Sequence, residues 1–158
     1  RQAASVPEPA PNAADSYRQI RLPDGSTYEG RSLNGKMHGE GTLKLFNGDS
    51  YTGAWLSGEK HGPGAYAFAN GDRYEGMWAN NMMSGNGIYT FKNGGRLEGI
   101  WKNGRFLNGA GTYIFADGDS YTGQWQNDQM SGRGAYKTAG GVTYSGYFDD
   151  NFFVRTGP

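Results

Sequence analysis

The chain of 158 residues carries 15 Lys plus Arg against 15 Asp plus Glu. This balance excludes a global field drawing it to nucleic acid or to an anionic bilayer. Without Cys it has no disulfide, thiolate zinc site or cysteine nucleophile, and no apolar run approaches the ~18 residues of a membrane span.

Its 28 Gly, 8 Phe, 4 Trp and 11 Tyr favour short strands and tight turns over helices, so the predicted class is all-β. The first segment, Arg1 to Asp15, holds three Pro and five Ala and little that can be buried, and reads as a disordered linker over residues 1–15. The chain as given is expected to be soluble; the sequence leaves its compartment open, a fragment of a larger, exported or membrane-associated protein being one reading. Any signal peptide or anchor would lie outside it.

From Ser16 the pattern is periodic. "SYRQIRLPDGST" matches the second half of a repeat, with Asp24-Gly25 in the place of Asn47-Gly48. The residues opening successive copies are Tyr28, Tyr51, Tyr74, Leu97, Tyr121 and Tyr144, at spacings of 23, 23, 23, 24 and 23. Periods of this size mark arrays in which each unit buries its apolar face only against its neighbours. The array is assigned to residues 16–150, and "NFFVRTGP" over residues 151–158 departs from it as a cap or tail.

Within a repeat two kinds of joint alternate. Asn47-Gly48, Asn70-Gly71, Asn93-Gly94 and Asp117-Gly118 are hairpin signals between aromatic-rich runs. The other joints, such as "NGKMHGEG" and "NGRFLNGAG", read as longer loops, and the extra residue of the fourth repeat is expected within the loop from Asn103 to Gly111. Two short strands per repeat predict an antiparallel meander of about twelve strands.

In one strand Tyr51, Gly53 and Trp55 share a face; in the next, Gly64, Tyr66 and Phe68 do. A strict two-residue turn at Asn70-Gly71 sends the two aromatic sets to opposite faces. A three-residue loop with Gly71 left-handed pairs Phe68 with Asp72 and Tyr66 with Tyr74, gathering the rings on one face. The second arrangement is the expected one, because it gives a single layer one apolar face. It also aligns Gly30, Gly53, Gly76, Gly99, Gly123 and Gly146 beside the aromatics, where missing side chains let the sheet bend into a curved trough.

The units "YTGAWLSGEKHGPGAYAFANGDR" and "YEGMWANNMMSGNGIYTFKNGGR", with three further copies, resemble MORN repeats in their Tyr-x-Gly-x-Trp, Gly-x-x-x-Gly-x-Gly and Asn/Asp-Gly landmarks. The departures are Ser32 and Phe148 in the Trp place, Leu97 in the Tyr place and Gly140-Gly141 in the Asn-Gly place. The resemblance implies an elongated single-layer antiparallel sheet used for protein association, dimerisation and sometimes membrane attachment.

Candidate sites follow from the faces. No catalytic set, metal site or cofactor is expected. His38 and His61 recur at one turn position in only two repeats, and the acids of "DGDS" with Asp49 and Asp72 supply too few oxygens for calcium. A single layer has no second sheet to cover its rings, so the central aromatics Tyr74, Trp78, Tyr89, Phe91, Trp101, Tyr113 and Phe115 are the expected contact surface for a protein partner, an elongated peptide or helix. Tyr147, Phe148, Phe152, Phe153 and Val154, near the last edge, are the expected homodimer contact. Lys36, Lys60, Lys102, Arg105 and Arg133 outnumber Glu40, Glu59 and Asp128 on the longer-joint edge, a basis for weak anionic lipid contact. Glycan stacking on Tyr and Trp is a third reading, and no nucleic-acid partner is expected.

Overall fold

The computed structural model describes residues 15–157. The linker expected over residues 1–15 lies outside the described residues, Asp15 apart. The strands are β1 (Ser16–Arg21), β2 (Thr27–Leu33), β3 (Lys36–Lys44), β4 (Ser50–Leu56), β5 (Glu59–Ala67), β6 (Arg73–Ala79), β7 (Met82–Thr90), β8 (Arg96–Lys102), β9 (Arg105–Ile114), β10 (Ser120–Gln126), β11 (Gln129–Lys137), β12 (Thr143–Asp149) and β13 (Phe152–Thr156). They form one open sheet in strict chain order, each antiparallel to its sequence neighbours. The strand beyond the expected twelve is β13, which the tail adds along β12.

The Asn-Gly joints are three-residue loops. Phe68 donates its N–H to the Asp72 carbonyl at 2.9 Å and Gly71 donates back to Phe68 at 3.0 Å, with Gly71 at φ +98°. This places Tyr66 opposite Tyr74 and Gly64 opposite Gly76, so the rings gather on one face.

The other joints are shorter than their sequence suggests. Asn34-Gly35, Ser57-Gly58, Asn80-Asn81, Asn103-Gly104, Asn127-Asp128 and Asp150-Asn151 are two-residue connections with positive φ at both positions, as a type I′ turn requires. What reads as the rest of a loop is strand. In β3, β5, β7 and β11 it carries a bulge, since Gly53 and Trp55 of β4 face Gly64 and Lys60 of β5. The bulge has a left-handed glycine at Gly39, Gly62, Gly85 and Gly132.

Paired glycines bring the backbones together under the tyrosines. Gly53 faces Gly64, and a Cβ added at Gly64 would collide with the Tyr51 hydroxyl. The same holds for Gly41 under Tyr28, Gly87 under Tyr74 and Gly134 under Tyr121. Although the described residues form no second layer above them, Tyr28, Tyr51, Tyr74 and Tyr121 are almost wholly buried, each by the rings and backbone of its own and adjacent strands.

Candidate functional site

A regular rung is built around one tyrosine. The Tyr51 ring stands edge-on to Trp55 at 4.9 Å and to Trp78 of the following repeat at 5.4 Å; Tyr74 repeats this with Trp78 and Trp101 at 5.2 and 5.4 Å. Its hydroxyl donates to the carbonyl that the bulge removes from the ladder: Tyr51 to Ala54 at 2.8 Å, Tyr74 to Met77 and Tyr121 to Gln124 at 2.9 Å. Each Trp Nε1–H donates to the carbonyl of a paired glycine on the preceding strand, Trp78 to Gly64 at 3.2 Å and Trp101 to Gly87 at 3.1 Å. Burial pushes the Tyr51 hydroxyl well above its ordinary pKa and that of Tyr74 up to about 12.

A second clasp joins repeats at the Asn-Gly end. Asp49 accepts the Tyr66 hydroxyl at 2.6 Å and the Ala69 N–H at 2.7 Å; Asp72 accepts Tyr89 and the Lys92 N–H; Asp119 accepts Tyr136 and the Ala139 N–H. The tyrosine hydrogen bond, then the backbone N–H, holds Asp49 and Asp119 below the usual carboxylate range. Burial first, then the carboxylate, raises Tyr66 and Tyr89, whereas at Tyr136 the Asp119 hydrogen bond is the larger cause and lifts it to about 12. The acids are thus engaged inside the array.

The fourth rung breaks this plan. The extra residue lies in β9, which has 10 residues where β3, β5, β7 and β11 have 9, and not in the turn, which is an ordinary Asn103-Gly104. A residue added to the tight turn would destroy its positive-φ pair, whereas the adjoining bulge absorbs a change in count. Leu97 brings no hydroxyl for a bulge carbonyl, and Ile100 stays in the ladder opposite Asn108. Leu97 therefore faces Gly111, where a regular rung would set it opposite Tyr113, a slip of two residues or about 6.6 Å along the strand. Phe106 takes over the missing ring's place: it is 2% exposed, lies 4.9 Å from Trp101, and its Cζ occupies the space a Cβ on Gly109 would need. Gly95 stands where Asp49, Asp72 and Asp119 stand elsewhere, so no carboxylate clasp reaches Tyr113.

This dislocation opens a cavity of about 660 Å³ on the aromatic face, lined from Met83 and Phe91 across Leu97, Phe106 and Trp125 to Asn151. One cavity touching side chains from β7 to the β12–β13 turn requires the face to be concave there. Of the expected contact residues, Tyr89, Phe91, Trp101, Tyr113 and Phe115 line it. Tyr74 is 0% exposed and Trp78 is buried between Tyr51 and Tyr74, so these two form the floor beside the cavity. Leu97, which departs from the Tyr place, also lines it, as do Phe106, Met83 and Met130, which the sequence pattern alone does not mark as a site. The signal for these three is a column at the period of the array, Met37, Lys60, Met83, Phe106 and Met130, each opposite the Trp position of its repeat.

The basic residues at the turn edge divide. Arg105 pairs with Asp128 at 3.2 Å, Arg133 meets Tyr147 through a 3.0 Å hydrogen bond, and Lys60 folds its ammonium over aromatic rings. His38 accepts the Ser57 N–H at 3.4 Å, a turn contact. At the far end Phe148 is buried against Tyr121 at 4.9 Å, Tyr147 stacks under Arg155 at 4.3 Å, and Phe152, Phe153 and Val154 are exposed on β13, whose outer edge is unpaired among the described residues.

Comparison with curated protein sequences finds no match. Among solved structures the chain is similar, at 18% identity and a TM-score of 0.38, to the SAS-4 (dCPAP) TCP domain of Drosophila melanogaster in complex with a proline-rich motif of Ana2 (dSTIL), covering 92% of this chain and 81% of that one. The MORN repeat description matches residues 28–50, 51–73, 74–96, 98–120 and 121–143, and between residues 28 and 143 it passes over Leu97 alone, the residue in place of the rung tyrosine. With well over half of its length matched in this way, the chain belongs to the MORN repeat family.

Proposed function

We propose that the chain is a non-enzymatic scaffold that holds an elongated protein segment across its aromatic face, with an apolar anchor seated in the fourth-rung cavity. The observation that carries this is the combination of an open cavity of about 660 Å³ with half-buried Tyr89, Phe91, Tyr113 and Phe115 around it. Half-buried rings are held by neighbouring repeats and lose little entropy when covered, which is how aromatic anchors sustain interfaces. A scaffold role, not chemistry, suits the titratable groups: Asp49 and Asp119 are held low and the rung tyrosines high, away from neutrality.

The test is selection from a displayed library of random 20-residue peptides, repeated with Tyr89→Ala/Phe91→Ser. Capture of peptides with a bulky apolar residue by the parent chain, lost in the folded double variant, is the expected result. Peptides whose capture is indifferent to both substitutions would sink the reading. The membrane alternative is read in the same series from sedimentation with phosphatidylserine vesicles. Attachment that survives the aromatic changes and fails on reversing Lys36 and Lys102 would replace the scaffold by a lipid module. Glycan stacking is read from binding to immobilised oligosaccharides.

Self-association through Tyr147, Phe152, Phe153 and Val154 is a second part of the proposal, supported by the exposed apolar side chains of β13 and by its edge, which is free among the described residues; Phe148, buried against Tyr121, is not part of this contact. Deletion of residues 151–158 should lower the molar mass seen by light scattering across a concentration series; an unchanged mass would remove this contact.

A further inference from the structure

One position of the aromatic face carries a charge that its fold does not explain. The column opposite the Trp position is Met37, Met83, Phe106 and Met130, with Lys60 alone breaking it. Its Nζ lies 5.3 Å from the Trp78 ring centroid, 5.4 Å from Tyr66 and 5.8 Å from Tyr51, the range of ammonium–ring attraction. Its stem fills the methionine's space, and its backbone N–H is held by Asn81 Oδ1 at 2.9 Å. Among the described residues no carboxylate comes within 4.0 Å of the ammonium, and Asp49, at the opposite, Asn-Gly end of the strands, is taken by Tyr66 and Ala69. Burial has removed part of the ammonium's water and given it ring faces in return, and it lowers the pKa of Lys60 from its ordinary value. By contrast Arg105, at the cavity, already has its acid in Asp128.

We propose that Lys60 Nζ is a carboxylate subsite of the aromatic face, selecting a protein segment that places an Asp or Glu on Lys60 and an apolar anchor in the fourth-rung cavity. This rests on the scaffold reading and specifies its partner. Charge complementarity chooses the occupant: a partly dehydrated cation among rings is completed by an entering carboxylate, with the rings excluding water around the pair. A slender acidic side chain reaches an ammonium laid over the face of the sheet, where a flat bilayer does not. Lys60 is on β5 and the cavity centres on β8 and β9, three to four strands away. At about 4.8 Å per strand the two subsites are roughly 14–19 Å apart. The acid and the anchor are then about four to six residues apart in an extended segment, or about ten to thirteen in a helix.

The experiment compares the parent chain, Lys60→Met and Tyr89→Ala/Phe91→Ser as baits for the same 20-residue peptide library. Methionine is what three other repeats carry in this place, so Lys60→Met retains the packing, and circular dichroism confirms that it is folded. The expected result is enrichment of Asp or Glu at one fixed distance from a bulky apolar residue. On Lys60→Met the acidic preference should vanish, with the best acidic peptide bound about 10-fold more weakly and its Glu→Gln counterpart bound as before. Apolar enrichment without a spaced acid, or an acidic preference that survives Lys60→Met, overturns the subsite and leaves the scaffold standing. Peptides indifferent to the aromatic double variant overturn the scaffold itself. Vesicle attachment that Lys60→Met abolishes, with no acidic preference among peptides, overturns the proposal in favour of a lipid phosphate.

Discussion

The second and fourth rungs solve one packing problem in two ways. Around Tyr51 a single ring covers the glycine pair, separates two tryptophans and returns a hydrogen bond to the bulge carbonyl. Around Leu97 the ring comes from the opposite strand as Phe106, the carbonyl's residue stays in the ladder, and two residues of register are lost. Both bury their centres, since Leu97 and Phe106 are as protected as the regular core. The regular rung closes its surface, whereas the fourth leaves a cavity. A repeat array makes its distinctive surface where the repeat is broken, because identical units present only identical stripes.

The comparison can be broken most severely at the tryptophans. Trp78 touches Tyr51, Tyr66 and Tyr74, while Trp125, after the break, meets Tyr113 and Tyr121. Trp78→Ala should cost about 3–5 kcal/mol in urea unfolding, and Trp125→Ala about 1 kcal/mol less. Equal losses would mean that the dislocation does not weaken inter-repeat packing.

Alkaline titration discriminates the rungs next. The neutral phenol is the form that the fold protects, and Tyr74 titrates at about 12 in the folded chain against about 10 when unfolded. Its contribution is complete below pH 10 and is lost as the pH rises toward about 12. Tyrosinate absorbance at 295 nm should therefore rise together with loss of the β-sheet dichroism. Ionisation of every tyrosine near pH 10 with the sheet intact would contradict the burial of the rungs.

Leu97→Tyr asks whether Phe106 has truly taken the tyrosine's place. Alone it overpacks the space and should destabilise by about 1–3 kcal/mol. Combined with Phe106→Met, which restores the residue of the third and fifth repeats, it should recover at least about 1 kcal/mol of that loss. Strict additivity in the cycle would show that the two rings do not compete.

The smallest effect concerns one hydroxyl. Tyr51→Phe leaves the Ala54 carbonyl without its donor and should cost about 1–2 kcal/mol in the urea midpoint, with the ring packing unchanged. A neutral substitution would mean that water replaces the hydroxyl at the bulge.

Much of this was legible before any coordinates. The period from Tyr28 to Tyr144, the all-β class and the three-residue loops at Asn-Gly follow from spacing and from the demand that one layer keep its rings together. Local chemistry misled at the other joints. Ser57-Gly58 and Asn80-Asn81 make two-residue turns whose neighbouring glycines, such as Gly62, belong to a bulge and not to a loop. For the same reason the stretch from Asn103 to Gly111, where the inserted residue is expected within a loop, is mostly strand β9.

The amino-acid sequence by itself determined the meander, its repeat length and the face on which the rings lie, because those depend on contacts between residues a few positions apart and on a period that repetition makes readable. Only the tertiary structure decided which rings are floor and which are wall, where the register slips, and that Lys60 lies over three rings instead of at the turn edge. Those outcomes turn on adjacent strands competing for the same space above the paired glycines. That competition between Leu97 and Phe106, or between a lysine and a methionine in one column, is settled by volume and hydrogen bonding across strands, which no single repeat contains.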